Sequence, residues 1–119
     1  MKILIDADGC PVVDLTLQAA AEHGLEAILF CDTSHEFKEK NARVVTVDKG
    51  SDSAAFALIR QVNPGDIVVT QDYGLAAMVL AKRGYPITQN GKRLTDANID
   101  TLLLTRHAAK KARRGGYRL

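Results

Sequence analysis

The chain has 119 residues, 46% of them hydrophobic and 25% charged, with a formal net charge of +2. That is enough for one globular domain with its own core and too little for two, and it excludes a disordered or fibrous protein. No apolar run approaches the ~20 residues that span a bilayer, and Asp6 interrupts the first one before a signal-peptide core forms, so a cytoplasmic protein without membrane contact is expected.

The first predicted strand is Lys2 to Asp6 (KILID), an apolar run that ends in an acid. Pro11 suits the first turn of a helix, where its missing N–H costs nothing. Val13, Leu17, Ala20, Ala21 and Gly24 continue at helical spacing, with Gly24 as the C-terminal cap. Glu26 to Cys31 and Arg43 to Val47 are the second and third strands, the latter rich in β-branched residues. Between them Asp32 to Asn41 is polar, a loop or one short helical turn. A second helix is predicted from Ser51, with Ala55, Leu58, Ile59 and Val62 on one face, and Pro64-Gly65 stops it.

Asp66 to Thr70 is the fourth strand and leads into a third helix from about Asp72 to Arg83, whose inner stripe is Leu75, Ala76, Val79 and Leu80; Gly84 ends it. Tyr85 to Thr88 forms a short fifth strand before an Asn90-Gly91 turn. Thr95 opens a last helix with Ile99, Leu102 and Leu103 as its apolar face. The alternation of strands and helices predicts crossover units around a parallel sheet, an α/β fold. Residues 1–107 form the predicted domain and 108–119 a basic, flexible tail.

Charge is unevenly placed. Residues 1–105 carry 10 Lys/Arg and 14 Asp/Glu, whereas residues 106–119 carry 6 Lys/Arg and no acid. An acidic body suits a cation pocket, and a basic end suits a polyanion. Cys10 and Cys31 lack the spacing of a zinc site and are expected to be reduced and structural. His23, His35 and His107 share no ligand spacing.

In an open parallel sheet the crevice lies at the carboxyl ends of the strands. Asp6 ends the first strand, Asp8 follows it, and Asp52 and Asp72 open the helices after the third and fourth strands. Each alone has a plainer role: Asp8-Gly9 as a turn, Asp52 as a first-turn acid, Asp72 as an N-cap. Together they form the layout of a Mg²⁺ or Mn²⁺ site, because converging carboxylates stay ionised only beside a cation. Thr70 and Gln71 stand where a hydroxyl or amide orients a phosphate or a metal-bound water, with strand-end hydrogen bonding as the alternative. In the tail, Arg106, Lys110, Lys111, Arg113 and Arg114 are candidates for phosphate contact and Tyr117 for base stacking. Asn98 is read mainly as a capping or surface residue.

The segment Ile5-Asp6-Ala7-Asp8-Gly9-Cys10-Pro11-Val12 resembles the D-A-D-A-C-P-V signature of the bacterial YaiI/YqxD family (DUF188). Gly65-Asp66-Ile67-Val68-Val69-Thr70-Gln71-Asp72 is similar to that family's G-D-I-V-V-T-x-D, and Thr95, Asn98, Ile99 and Arg106 fit its T-x-x-N-I segment and following Arg. The resemblance implies a three-layer α/β/α PIN-like fold with strand order 3-2-1-4-5, which sets the first and fourth strands side by side. It also implies a metal-dependent nuclease acting on RNA, with Asp6, Asp8 and Asp72 as metal ligands and Asp52 assisting. Two positions depart from the family pattern: Ala55 stands where an acid is usual, and Gly9 where alanine is usual. Two alternatives stay open, as does a homodimer. Asp6-Ala7-Asp8-Gly9 also resembles the D-x-D-G motif of haloacid-dehalogenase-type phosphatases, with Asp6 as nucleophile. The third reading is a non-catalytic domain that binds RNA or protein.

Overall fold

A central strand must present apolar side chains on both faces, and KILID does so. In the computed structural model, which describes residues 1–7, 10–32, 42–47 and 53–99, β1 (Lys2–Asp6) has Ile3, Leu4 and Ile5 buried. It pairs in parallel with β2 (Glu26–Cys31) on one side and β4 (Ile67–Val69) on the other. β3 (Arg43–Thr46) adds to β2, and β5 (Tyr85–Ile87) adds to β4, again in parallel. The resulting order is β3-β2-β1-β4-β5, as the resemblance implies. All five strands run the same way, so the sheet is wholly parallel.

The helices fall on both faces and make three layers. α1 (Val13–Glu22) buries Val13 and Ala20 against Ile3, Ile5, Leu29 and Val69. The opposite face, built on Leu4, Ile28, Phe30 and Val68, is covered by α2 (Ser53–Gln61) through Ala57 and Leu58 and by α3 (Tyr73–Ala81) through Leu75 and Val79. α3 is buried on two sides: Ala76, with Ala77 and Leu80 beside it, packs against Leu94 and Ile99. That accounts for a helix with almost no polar face between Tyr73 and Ala81.

Two helix ends show how local sequence sets the boundaries. After α1 the amide of Leu25 donates to Ala20 O at 2.8 Å and that of Gly24 to Ala21 O at 3.2 Å, with Gly24 at φ +66°. This is a Schellman cap with glycine in the left-handed position, as the sequence predicts. α3 ends in the same motif, but there the left-handed residue is Arg83 (φ +64°). Gly84 is needed for a different reason: a Cβ on it would sit 2.7 Å from Val79 Cγ1 and 3.2 Å from the Asp66 carbonyl. The predicted Asn90-Gly91 turn forms, with Gly91 at φ +80°, and returns Arg93 to bridge Ile87 in the antiparallel sense. Thr95 and Asn98 then cap each other, Thr95 N–H donating to Asn98 Oδ1 at 2.8 Å and Asn98 N–H to Thr95 Oγ1 at 3.3 Å, and residues 96–99 are helical. Asn98 is thus a capping residue.

Among the described residues no helix is long and apolar enough to cross a membrane. The polar connection 33–41, the predicted α2 start at Ser51, the Leu102 and Leu103 stripe and the tail lie outside the described residues.

Candidate active site at the carboxyl ends of β1 and β4

Chain order places β1 between β2 and β4, so the direction of winding reverses beside β1 and a crevice opens at its carboxyl end. The ladder between β1 and β4 pairs Leu4 with Val68 and Ile5 with Val69, which makes Asp6 and Thr70 the next neighbours along it. Side chains alternate across a strand, so both follow Leu4 and Val68 toward the α2/α3 face.

Their contact is direct. The Thr70 hydroxyl donates to Asp6 Oδ2 at 3.0 Å, and Thr70 Oγ1 itself accepts the Asp72 amide at 3.0 Å. Thr70 is 2% exposed, so its one proton and one acceptor site are both engaged inside the protein. Of the two roles the sequence leaves open for it, the geometry gives strand-end hydrogen bonding, with the added effect of orienting Asp6. Asp72 is the N-cap of α3: its Oδ1 accepts the Leu75 amide at 3.1 Å. Asp72 and Gln71 are exposed and Asp6 half-buried.

One buried threonine therefore links the Asp6 carboxylate to the backbone amide of Asp72, whose own carboxylate caps α3. Asp8 and Asp52 lie outside the described residues, as do Arg106, Lys110, Lys111, Arg113 and Arg114 in the tail. Among the described residues no three His, Cys, Asp or Glu side chains converge to hold a metal ion. Asp32, which the sequence presents as the start of a loop, directly follows β2 on the same edge of the sheet. The signal that finds it is an acid immediately after a strand adjacent to β1. Ala55 is half-buried and packs against the core on the α2/α3 face.

A further acid of the G-D-I-V-V-T-x-D segment proves structural. Asp66 lies at the opposite edge of the sheet, 3% exposed, with Oδ2 2.6 Å from Lys2 Nζ and accepting the Asn63 amide at 2.8 Å. Burial pushes its carboxyl up, but the Lys2 ammonium and the amides of Asn63 and Lys2 outweigh that and hold it below its ordinary value.

The family model described as "Uncharacterized BCR, YaiI/YqxD family" matches residues 4–119. The chain belongs to the YaiI/YqxD family. A UPF0178 protein of Exiguobacterium sibiricum is 53% identical over 118 residues, 99% of this chain and 81% of that protein. One of Ruminiclostridium cellulolyticum is 51% identical over 118 residues (99% and 77%), and one of Lachnoclostridium phytofermentans 48% over 116 residues (98% and 78%). No solved structure matches significantly. The YaiI/YqxD signatures thus fall at both ends of the Asp6–Thr70–Asp72 bridge.

Proposed function

We propose that this chain is a divalent-metal-dependent nuclease acting on RNA. The observation that carries the reading is the link through Thr70, which ties the acid ending β1 to the helix start that bears Asp72, at the crevice of the sheet. The donor set fits Mg²⁺ or Mn²⁺ in chemistry: hard carboxylate oxygens, that of Asp72 on an exposed residue and that of Asp6 on a half-buried one. When bound, such an ion supplies Lewis-acid activation of water and phosphate.

The chain's own residues divide the remaining work. Asp6 and Asp72, with Asp8, hold the cation, and Asp52 assists as ligand or water-orienting base. Thr70 fixes the Asp6 carboxylate by occupying one of its oxygens, and the α3 cap fixes Asp72. Gln71, exposed beside Asp72, would donate to a phosphate. Arg106 and the cations at 110, 111, 113 and 114 contribute sequence-independent affinity for the RNA backbone.

The test is cleavage of single-stranded RNA with Mg²⁺ or Mn²⁺, in the natural chain and in Asp6→Asn and Asp8→Asn. Metal-dependent cleavage that disappears in both variants supports the assignment; activity that persists in both rejects it. Turnover of simple phosphate monoesters in place of RNA moves the site to the phosphatase class.

A further inference from the structure

Among the described residues the buried polar side chains are Asp66, Thr70 and Thr88, and the last two are neighbours. β4 and β5 pair Val69 with Ile87, so Thr88 follows Ile87 as Thr70 follows Val69. The bridge from Ile87 to Arg93 carries the register one position further across the sheet. Thr88 N–H donates to Lys92 O at 3.0 Å, and Lys92 N–H donates to Thr88 Oγ1 at 3.1 Å. Asp6, Thr70, Thr88 and Lys92 thus form one row across the carboxyl end of the sheet, and alternation sends all four side chains to the α2/α3 face. Leu94, two residues after Lys92, packs against Ala76 of α3 on that same face. With about 4.8 Å between strands, Lys92 stands about 10 Å from Thr70 and about 14 Å from Asp6 along the row.

The two threonines act alike. Each hydroxyl oxygen accepts the amide of a residue in the next element: Asp72 at the start of α3, and Lys92 where the chain returns from the Asn90-Gly91 turn. Lys92 is therefore pinned through both backbone groups to a 7% exposed residue, while its side chain is exposed. Most other described lysines and arginines have a partner in the fold. Lys2 pairs with Asp66, Arg43 with Glu26, Arg60 donates to Phe56 O, Lys82 to Ile59 O, and Arg93 lies 4.8 Å over the Tyr85 ring. Lys92 and Arg83 have none among the described residues. Arg83 sits at the far end of the sheet, where its carbonyl accepts the Gly65 amide before β4 begins. Lys92 is thus the one described cation on the rim that carries Asp6 and Asp72. A row with carboxylates at one end and an ammonium about 14 Å away matches a chain of phosphates and not a single small anion.

We infer that Lys92 is a substrate-backbone residue, contacting a phosphate of single-stranded RNA whose path runs along the row from Asp6 to the turn after β5. The inference deepens the nuclease reading and rests on it for the choice of polyanion. It is tested by titrating a fluorescent single-stranded RNA with the full chain between about 0.05 and 0.2 M salt, without divalent metal, so that no cleavage intervenes. Lys92→Gln should reduce the slope of log K against log[salt] by about 0.7 and weaken binding about fivefold at about 0.1 M salt. Lys92→Arg keeps the charge and should keep both. Arg83→Gln removes the same charge from the opposite end and should leave the slope at its natural value. All three positions are exposed, and circular dichroism checks that the variants fold. A slope unmoved by Lys92→Gln, an equal fall in Arg83→Gln, or no RNA binding by the natural chain overturns the inference. Because binding is read apart from cleavage, a chain that binds in the expected pattern and never cuts RNA refutes the nuclease reading while the Lys92 contact stands.

Discussion

Replacing Thr70 by valine removes one hydroxyl at almost constant shape and tests the bridge on which the site rests. The bond from Thr70 to Asp6 is charge-assisted, a class worth about 1.5–3 kcal/mol. The Asp72 amide also loses its acceptor, but Asp72 is exposed, so water replaces it and the added cost stays under about 1 kcal/mol. Valine recovers some of this at a 2% exposed strand end, up to about 1 kcal/mol. The net loss is about 2 kcal/mol, or roughly 8 °C in Tm for a domain of this size. Serine keeps the hydroxyl and loses one methyl, about 0.8 kcal/mol. Thermal and urea unfolding of the two variants should therefore rank Thr70→Ser above Thr70→Val. An ordinary apolar site gives the opposite order, so Val as stable as Ser would refute the bridge. A double-mutant cycle with Asp6→Ala should return a coupling of about 1.5–3 kcal/mol, and a value near zero would refute it equally.

Asp66→Ala strands the Lys2 ammonium and the Asn63 amide in a nearly dry place and should cost about 3–5 kcal/mol by urea denaturation. Because the Asp66 carboxyl is depressed in the folded chain, its contribution is complete above the unfolded carboxylate value and is lost as pH falls through the folded one, below 3.8. Asp66→Asn should accordingly flatten the acid limb of stability below about pH 4, and an unchanged limb would count against the pairing. Gly84→Ala forces a methyl to within 2.7 Å of Val79 and should cost about 1–3 kcal/mol by overpacking. Arg83→Gly relieves a left-handed residue (φ +64°) and should raise stability by about 0.5–1 kcal/mol, visible as a higher Tm.

The sheet was legible because its signals are local. KILID and EAILFC mark β1 and β2 at the observed boundaries, since a strand buried on both faces shows as a plain apolar run. β4 is shorter than its sequence signal: Asp66 and Thr70, which flank it, serve the Lys2 ion pair and the Asp6 bond. Gly84 marks the end of α3 in the sequence, but as a close-packing position, while a Schellman cap with arginine in the glycine place has no sequence signal. The strand order came from the family resemblance alone, because periodicity does not tell which strands are neighbours. The candidate site was legible as acids at strand ends, to which the structure adds that the Asp6 carboxylate and the Asp72 backbone amide share Thr70. What the sequence did not contain was the Thr70 bridge, whose two partners are 64 and 2 residues away, or the structural use of Asp66, which depends on the Lys2 side chain across the β1–β4 ladder.

The double burial of α3 also bears on the basic end of the chain. Ile99 rests against Ala76, one helical turn from Asp72, and the first tail cation, Arg106, follows seven residues later. Seven residues reach at most about 25 Å. A polyanion gripped there is leashed to the crevice at a local concentration on the order of 10 mM, so even weak capture by the tail would repeatedly present neighbouring phosphates to the acids.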